Sequence, residues 1–157
     1  MNLEKLICDG SMAELKAFVA KGFVNMKGDE GWTALAYAAF HGNMQKVDFL
    51  LKNGANPNAQ DDYGYTPLMQ TVEGNHAKIA QRLLEAGANP KLRNDLGWRA
   101  ETCACVLCAE DVRRILRAHR KRTRCYEEMG EKPKKIISAF HAHKKHSKGF
   151  GGRGYGD

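Results

Sequence analysis

The chain repeats itself every 33 residues along its 157. Gly31, Gly64 and Gly97 stand at that spacing, and so do Trp32, Tyr65 and Trp98. The pairs Leu51/Leu84, Gly54/Gly87, Ala55/Ala88, Asn56/Asn89 and Pro57/Pro90 keep it too. Aligned on this period, "GWTALAYAAFHGNMQKVDFLLKNGANP" sits over "GYTPLMQTVEGNHAKIAQRLLEAGANP". A fixed period of this length marks an array of small units, none of which buries its apolar face alone.

Each unit reads as two short helices. Thr33 and Thr66 suit an N-cap, and Pro67 fits the first helical position, where its missing N–H would be unpaired anyway. Leu35, Ala38 and Ala39 form one apolar stripe. Val47, Leu50 and Leu51, like Ile79, Leu83 and Leu84, form that of the second helix. Leu51 and Leu84 are expected to be buried between helix pairs. Gly42 and Asn75 fall at the break between helices, where the backbone is expected to be left-handed. Gly54 and Gly87 end the second helix, and "NAQDDYG" and "KLRNDLG" supply turn residues before the next unit.

The flanks are worn copies. Leu3, Leu6, Ile7, Gly10, Leu15, Phe18 and Val19 take the corresponding places near the start, and Ala104, Val112, Ile115 and Leu116 near residue 110. The last unit departs with Arg99 for Thr, Glu101 for the buried Leu and Cys108 for the inter-helix Gly. Glu101 and the Arg-rich "VRRILRAHR" fit the polar outer side that a terminal unit needs.

These residues resemble the ankyrin-repeat family, whose core pattern runs Thr-Pro-Leu-His-x-Ala-Ala. The resemblance implies an all-α solenoid of about four helix-turn-helix units with projecting loops over 1–120, divided at about 1–29, 30–62, 63–95 and 96–120. It also implies a non-enzymatic module that binds a protein or peptide on its concave face. Carried over by position, that face comprises Asp29, Glu30, Trp32, Phe40 and His41, then Asp62, Tyr63, Tyr65 and Glu73, then Asp95, Leu96, Trp98, Val106 and Leu107. Aromatics there would anchor a partner, and the carboxylates favour a basic one.

Charge divides the chain. Up to Ala118 there are 14 Lys and Arg against 14 Asp and Glu, and from His119 on there are 11 against 4, which carries the whole +7. The segment 121–157 is therefore a basic His- and Gly-containing tail, and its composition predicts disorder over most of its length. Pro133 could open a short helix in which Ile136, Ile137 and Phe140 share a face. The end, "GFGGRGYGD", resembles Arg-Gly-aromatic segments of RNA-associated proteins. Arg120, Lys121, Arg122, Arg124, Lys144, Lys145, Arg153 and Tyr155 are the candidate nucleic-acid contacts. A nuclear import address, a fold-back onto the repeats and a silent solubilising tail stay open as alternatives.

No catalytic grouping, phosphate loop or cofactor motif is visible. Cys103, Cys105 and Cys108 read as small core residues rather than metal ligands, and His141, His143 and His146 as solvated side chains. Five cysteines without a visible secretory leader point to a reducing compartment. A monomer in the cytoplasm or nucleus is expected, with no membrane span.

Overall fold

The computed structural model describes residues 2–119. Among them eight α-helices form four pairs: α1 Leu3–Cys8 with α2 Met12–Ala20, α3 Ala34–Phe40 with α4 Met44–Lys52, α5 Pro67–Gln70 with α6 Ala77–Glu85, and α7 Ala100–Val106 with α8 Glu110–His119. The first helices of successive pairs touch, α1 on α3, α3 on α5 and α5 on α7, and α4, α6 and α8 form a second row. This is the all-α solenoid expected from the period. The tail calls, including its disorder and the helix opened by Pro133, lie outside the described residues, as do all eight nucleic-acid candidates.

Local chemistry sets each helix start. The Thr33 and Thr66 hydroxyls accept from the Ala36 and Met69 amides at 3.2 and 3.3 Å. Ser11 and Glu14 close a capping box at the start of α2. Arg99 makes no such cap bond for α7. The second helices of the central pairs end alike. Ala55 N–H donates to Leu50 O at 3.0 Å and Gly54 N–H to Leu51 O at 3.2 Å, and the same pair of bonds recurs from Ala88 and Gly87 to Leu83 and Leu84 at 2.9 and 3.0 Å. This crossed pair needs a left-handed residue at the turn, supplied by Gly54 at φ 84° and Gly87 at φ 92°. The inter-helix turn is left-handed at Gly42, Asn75 and Cys108 alike.

The core runs unbroken through all four pairs, from Leu3, Ile7, Leu15 and Phe18 through Leu35, Leu50, Leu68 and Leu83 to Val112 and Leu116. Two expectations are corrected, and one helix is shorter than its counterparts. Leu50 and Leu83 are the fully buried leucines, whereas Leu51 and Leu84 are half-buried at the core's edge. Glu101 does not lie on a polar outer side: it is 4% exposed, in the place that Leu35 and Leu68 fill, and Arg117 reaches its carboxylate at 3.8 Å. The helical run of α5 stops at Gln70. There the Thr71 hydroxyl donates to Leu68 O at 2.8 Å, and Val72 N–H donates to Met69 O at 3.2 Å. Contacts three residues back tighten the chain into turns.

Candidate functional site

The loops between pairs are narrow hairpins held by one repeated device. Gly28, Asp61 and Asn94 donate their amides to the carbonyls of Trp32, Tyr65 and Trp98 at 2.7, 3.0 and 2.9 Å. The Asp61 carboxylate accepts from the Tyr63 and Tyr65 amides at 3.0 and 2.8 Å, and the Asn94 side-chain oxygen accepts from Leu96 and Trp98 at 3.1 and 2.9 Å. A short polar side chain thus fixes the second and third loops from inside, while Gly28 leaves the first with its backbone bond.

Neighbouring loops are then stitched together. Asp62 N–H donates to Glu30 O, and Asp95 N–H to Tyr63 O, both at 3.0 Å. The approach is close enough that a Cβ on Gly31 or Gly64 would run into the next loop at Asp62 or at Asn94 and Asp95. Two ladders reinforce it. The Asn25 and Asn58 side chains donate to Gly54 O and Gly87 O at 3.0 and 3.1 Å and accept from the Asn56 and Asn89 amides at 2.7 Å. Lys27 and Gln60 donate to Gln60 O and Arg93 O at 2.8 and 2.9 Å.

This register brings the acidic candidates together. Asp29, Asp62 and Asp95 are exposed and Glu30 is half-buried, on successive loops. Tyr63, Leu96 and Trp98 lie half-buried beside them, and Phe40, His41 and Leu107 are accessible at the ends of the first helices. Glu73 is exposed on the turn after α5.

Trp32 and Tyr65, at 4% exposure each, are parts of the core rather than surface anchors, and Val106 is buried as well. The Trp32 ring lies 4.8 Å from Tyr37 and 5.7 Å from Phe40, centroid to centroid. Burial, helped by the charges of Cys103 and Asp61, holds the Tyr65 phenol well above its ordinary pKa. Cys103 and Cys105 are buried in α7 and Cys108 is exposed at its left-handed turn.

Three features escaped the sequence reading. Lys46 is buried, and its ammonium donates to Leu6 O, Ile7 O and Gly10 O at 3.3, 2.5 and 2.7 Å, closing the carbonyl end of α1. A pocket of about 780 Å³ at the first pair is lined by Leu6, Phe18, Phe23 and Met26 together with charged Lys5 and Glu14. Glu4, Cys8 and His41 converge across α1 and α3. The period gave no signal for any of them, since all lie where the pattern departs from it.

The comparisons with known proteins agree with this architecture. Residues 30–62 match the model of the ankyrin repeat, and residues 50–100 that of ankyrin repeats in many copies. Ankyrin repeat family A protein 2, from Bos taurus and from Homo sapiens, is 36% identical over 58 residues. That match covers 36% of this chain and 18% of the relative, so it spans a small part of either protein. Residues 30–100 are ankyrin repeats, and the helix pairs on either side continue the same fold. Ankyrin repeats are, as a class, protein–protein interaction modules and typically non-enzymatic. Among the described residues no helix is long and apolar enough to cross a membrane.

Proposed function

We propose that this chain docks a basic protein or peptide segment against its loops and the ends of its first helices, and that it carries out no catalysis. The observation behind this reading is the loop register, with Glu30 O bonded to Asp62 N and Tyr63 O to Asp95 N. It sets four carboxylates beside half-buried Tyr63, Leu96 and Trp98. Such a row favours a partner with Lys or Arg spaced between apolar side chains. The acids steer and pair, and the rings supply anchors and cation–π contact. In this reading the protein works as a monomer without cofactor, in the cytoplasm or nucleus. The free thiols Cys8, Cys103, Cys105 and Cys108 suit a reducing compartment.

The +7 surplus carried by residues 119–157 favours a second reading, an adaptor whose tail holds RNA while the repeats recruit a protein. Fluorescence anisotropy of the full chain with a basic amphipathic peptide and with a single-stranded RNA oligonucleotide tests both. Asp62→Asn with Asp95→Asn, and separately Trp98→Ala, weaken peptide binding about tenfold or more, while Glu85→Gln on α6 leaves it unchanged. Peptide binding indifferent to those loop variants overturns the docking reading. Salt-sensitive RNA binding lost on removing 121–157 establishes the second.

A further inference from the structure

We propose that Glu4, Cys8 and His41 form a binding site for a divalent cation of the zinc class, one that clips the first helix pair to the second. The site shares His41 with the docking surface but does not depend on a partner being bound there, and it would stand if that reading failed.

The geometry comes from two helices. Glu4 and Cys8 are four residues apart on α1, so their side chains share a face. His41 is the residue that ends α3, with its amide bonded to Tyr37 O at 3.0 Å, and α1 packs against α3. A carboxylate oxygen, the Cys8 sulfur and an imidazole nitrogen all lie within 4.8 Å of one another. Tetrahedral zinc, with bonds of about 2.0–2.3 Å, sets its ligand atoms about 3.3–3.8 Å apart. The three need therefore close by at most about 1.5 Å. Cys8 and His41 are exposed and Glu4 is half-buried, so small rotations suffice and a fourth position stays open to water.

The donor set selects the ion. A thiolate and an imidazole disfavour magnesium and calcium, which take oxygen, and favour zinc-class metals. The surrounding charge also attracts a cation. Burial and then the charges of Glu4, Asp29, Glu30 and Cys8 push the Tyr37 phenol up to about 12. Burial, Glu4 and Asp9 raise the Cys8 thiol, with Lys46 opposing them. Lys46 is an adverse charge, and it is committed to the α1 carbonyls. Burial, with His76 adding to it and Glu4 opposing, lowers His41. The Cys8 thiol gives up its proton as the sulfur–metal bond forms, so one proton is released for each ion bound.

Cobalt titration of the reduced, metal-stripped full chain tests the site, because a cysteine ligand produces thiolate-to-cobalt charge-transfer absorption. The first equivalent is expected to give that band, and Cys8→Ser to abolish it. Glu4→Gln and His41→Gln are expected to weaken binding by at least about tenfold, since loss of outer partners alone costs about 10–100-fold. Cys125→Ser leaves the band intact, and zinc displaces the cobalt. Zinc also raises the melting temperature of the parent protein but not that of Cys8→Ser. A first-equivalent band that survives Cys8→Ser, a band lost with Cys125→Ser, or no band at all overturns the proposal.

Discussion

In the central units the polar groups are closed by bonds that recur every 33 residues: Thr33 and Thr66 at helix starts, Asn25 and Asn58 between repeats, Gly54 and Gly87 at helix ends. At the two ends the same places hold residues that answer local needs. Arg99 stands where the caps stand, Glu101 where Leu35 and Leu68 are buried, and Lys91 where Asn25 and Asn58 reach the next unit. Lys46, at the junction with the first pair, occupies the place of buried Ile79 and Val112 and turns to the open carbonyls of α1. The period is kept where each unit is held on both sides. Where one neighbour is short or ends, polar side chains take over.

The largest test of that contrast removes a central leucine. Leu83 is 0% exposed while Leu84 is half-buried one residue on. Leu83→Ala should cost about 2–5 kcal/mol, a large share of the stability of about 5–15 kcal/mol usual for a small domain. Leu84→Ala should cost clearly less. Urea denaturation followed by circular dichroism compares them, and equal losses would contradict the burial difference.

The period alone made most of the fold legible. Thr caps, Pro67, the left-handed turns and the stripe residues all follow from chemistry that acts within a few residues. Which of two adjacent leucines points inward does not follow, because Leu50 and Leu51 both fit a helical stripe. Trp32 and Tyr65 were misread for the same reason: an aromatic after the repeat glycine looks the same whether it faces the groove or the core. The acidic members of the set lie on accessible loops, and the bonds that align them join residues 32 positions apart, a distance at which no local pattern speaks.

The glycine positions compare the middle with the end directly. Gly64 and Gly97 share φ near 78° and 75°, which costs any other residue about 1–2 kcal/mol. A Cβ on Gly64 would also meet Asn94 and Asp95 at 2.9–3.1 Å, whereas one on Gly97 meets nothing within 4 Å among the described residues. Gly64→Ala should therefore exceed Gly97→Ala by about 1–3 kcal/mol, the usual cost of overpacking. Equal losses would mean that the loops are not stacked.

Lys46 tests the junction. Lys46→Met keeps the length of the stem but leaves three carbonyls without their donor, for about 1–3 kcal/mol. The loss should be local. Amides of α1 should exchange faster while those of α6 keep their protection. Uniform acceleration along the stack would show instead that the end pair and the centre unfold as one unit.

The smallest effect separates a repeat position with a successor from one without. Asn58 donates to Gly87 O and accepts from Asn89 N, so Asn58→Ala breaks two inter-repeat bonds. Both are exposed, so the combined cost should be about 1 kcal/mol. Lys91 holds the equivalent place 33 residues on, where among the described residues only its backbone amide is engaged, with Asn89 Oδ1 at 3.0 Å. Lys91→Ala keeps that bond and should change stability by no more than about 0.5 kcal/mol. Restoring the ladder residue with Lys91→Asn should be equally silent, because an Asn side chain there has no further repeat glycine and asparagine pair among the described residues to grip. A gain on Lys91→Asn matching the loss on Asn58→Ala would refute this. It would show that the ladder residue stabilises its own loop, with no contribution from the repeat that follows.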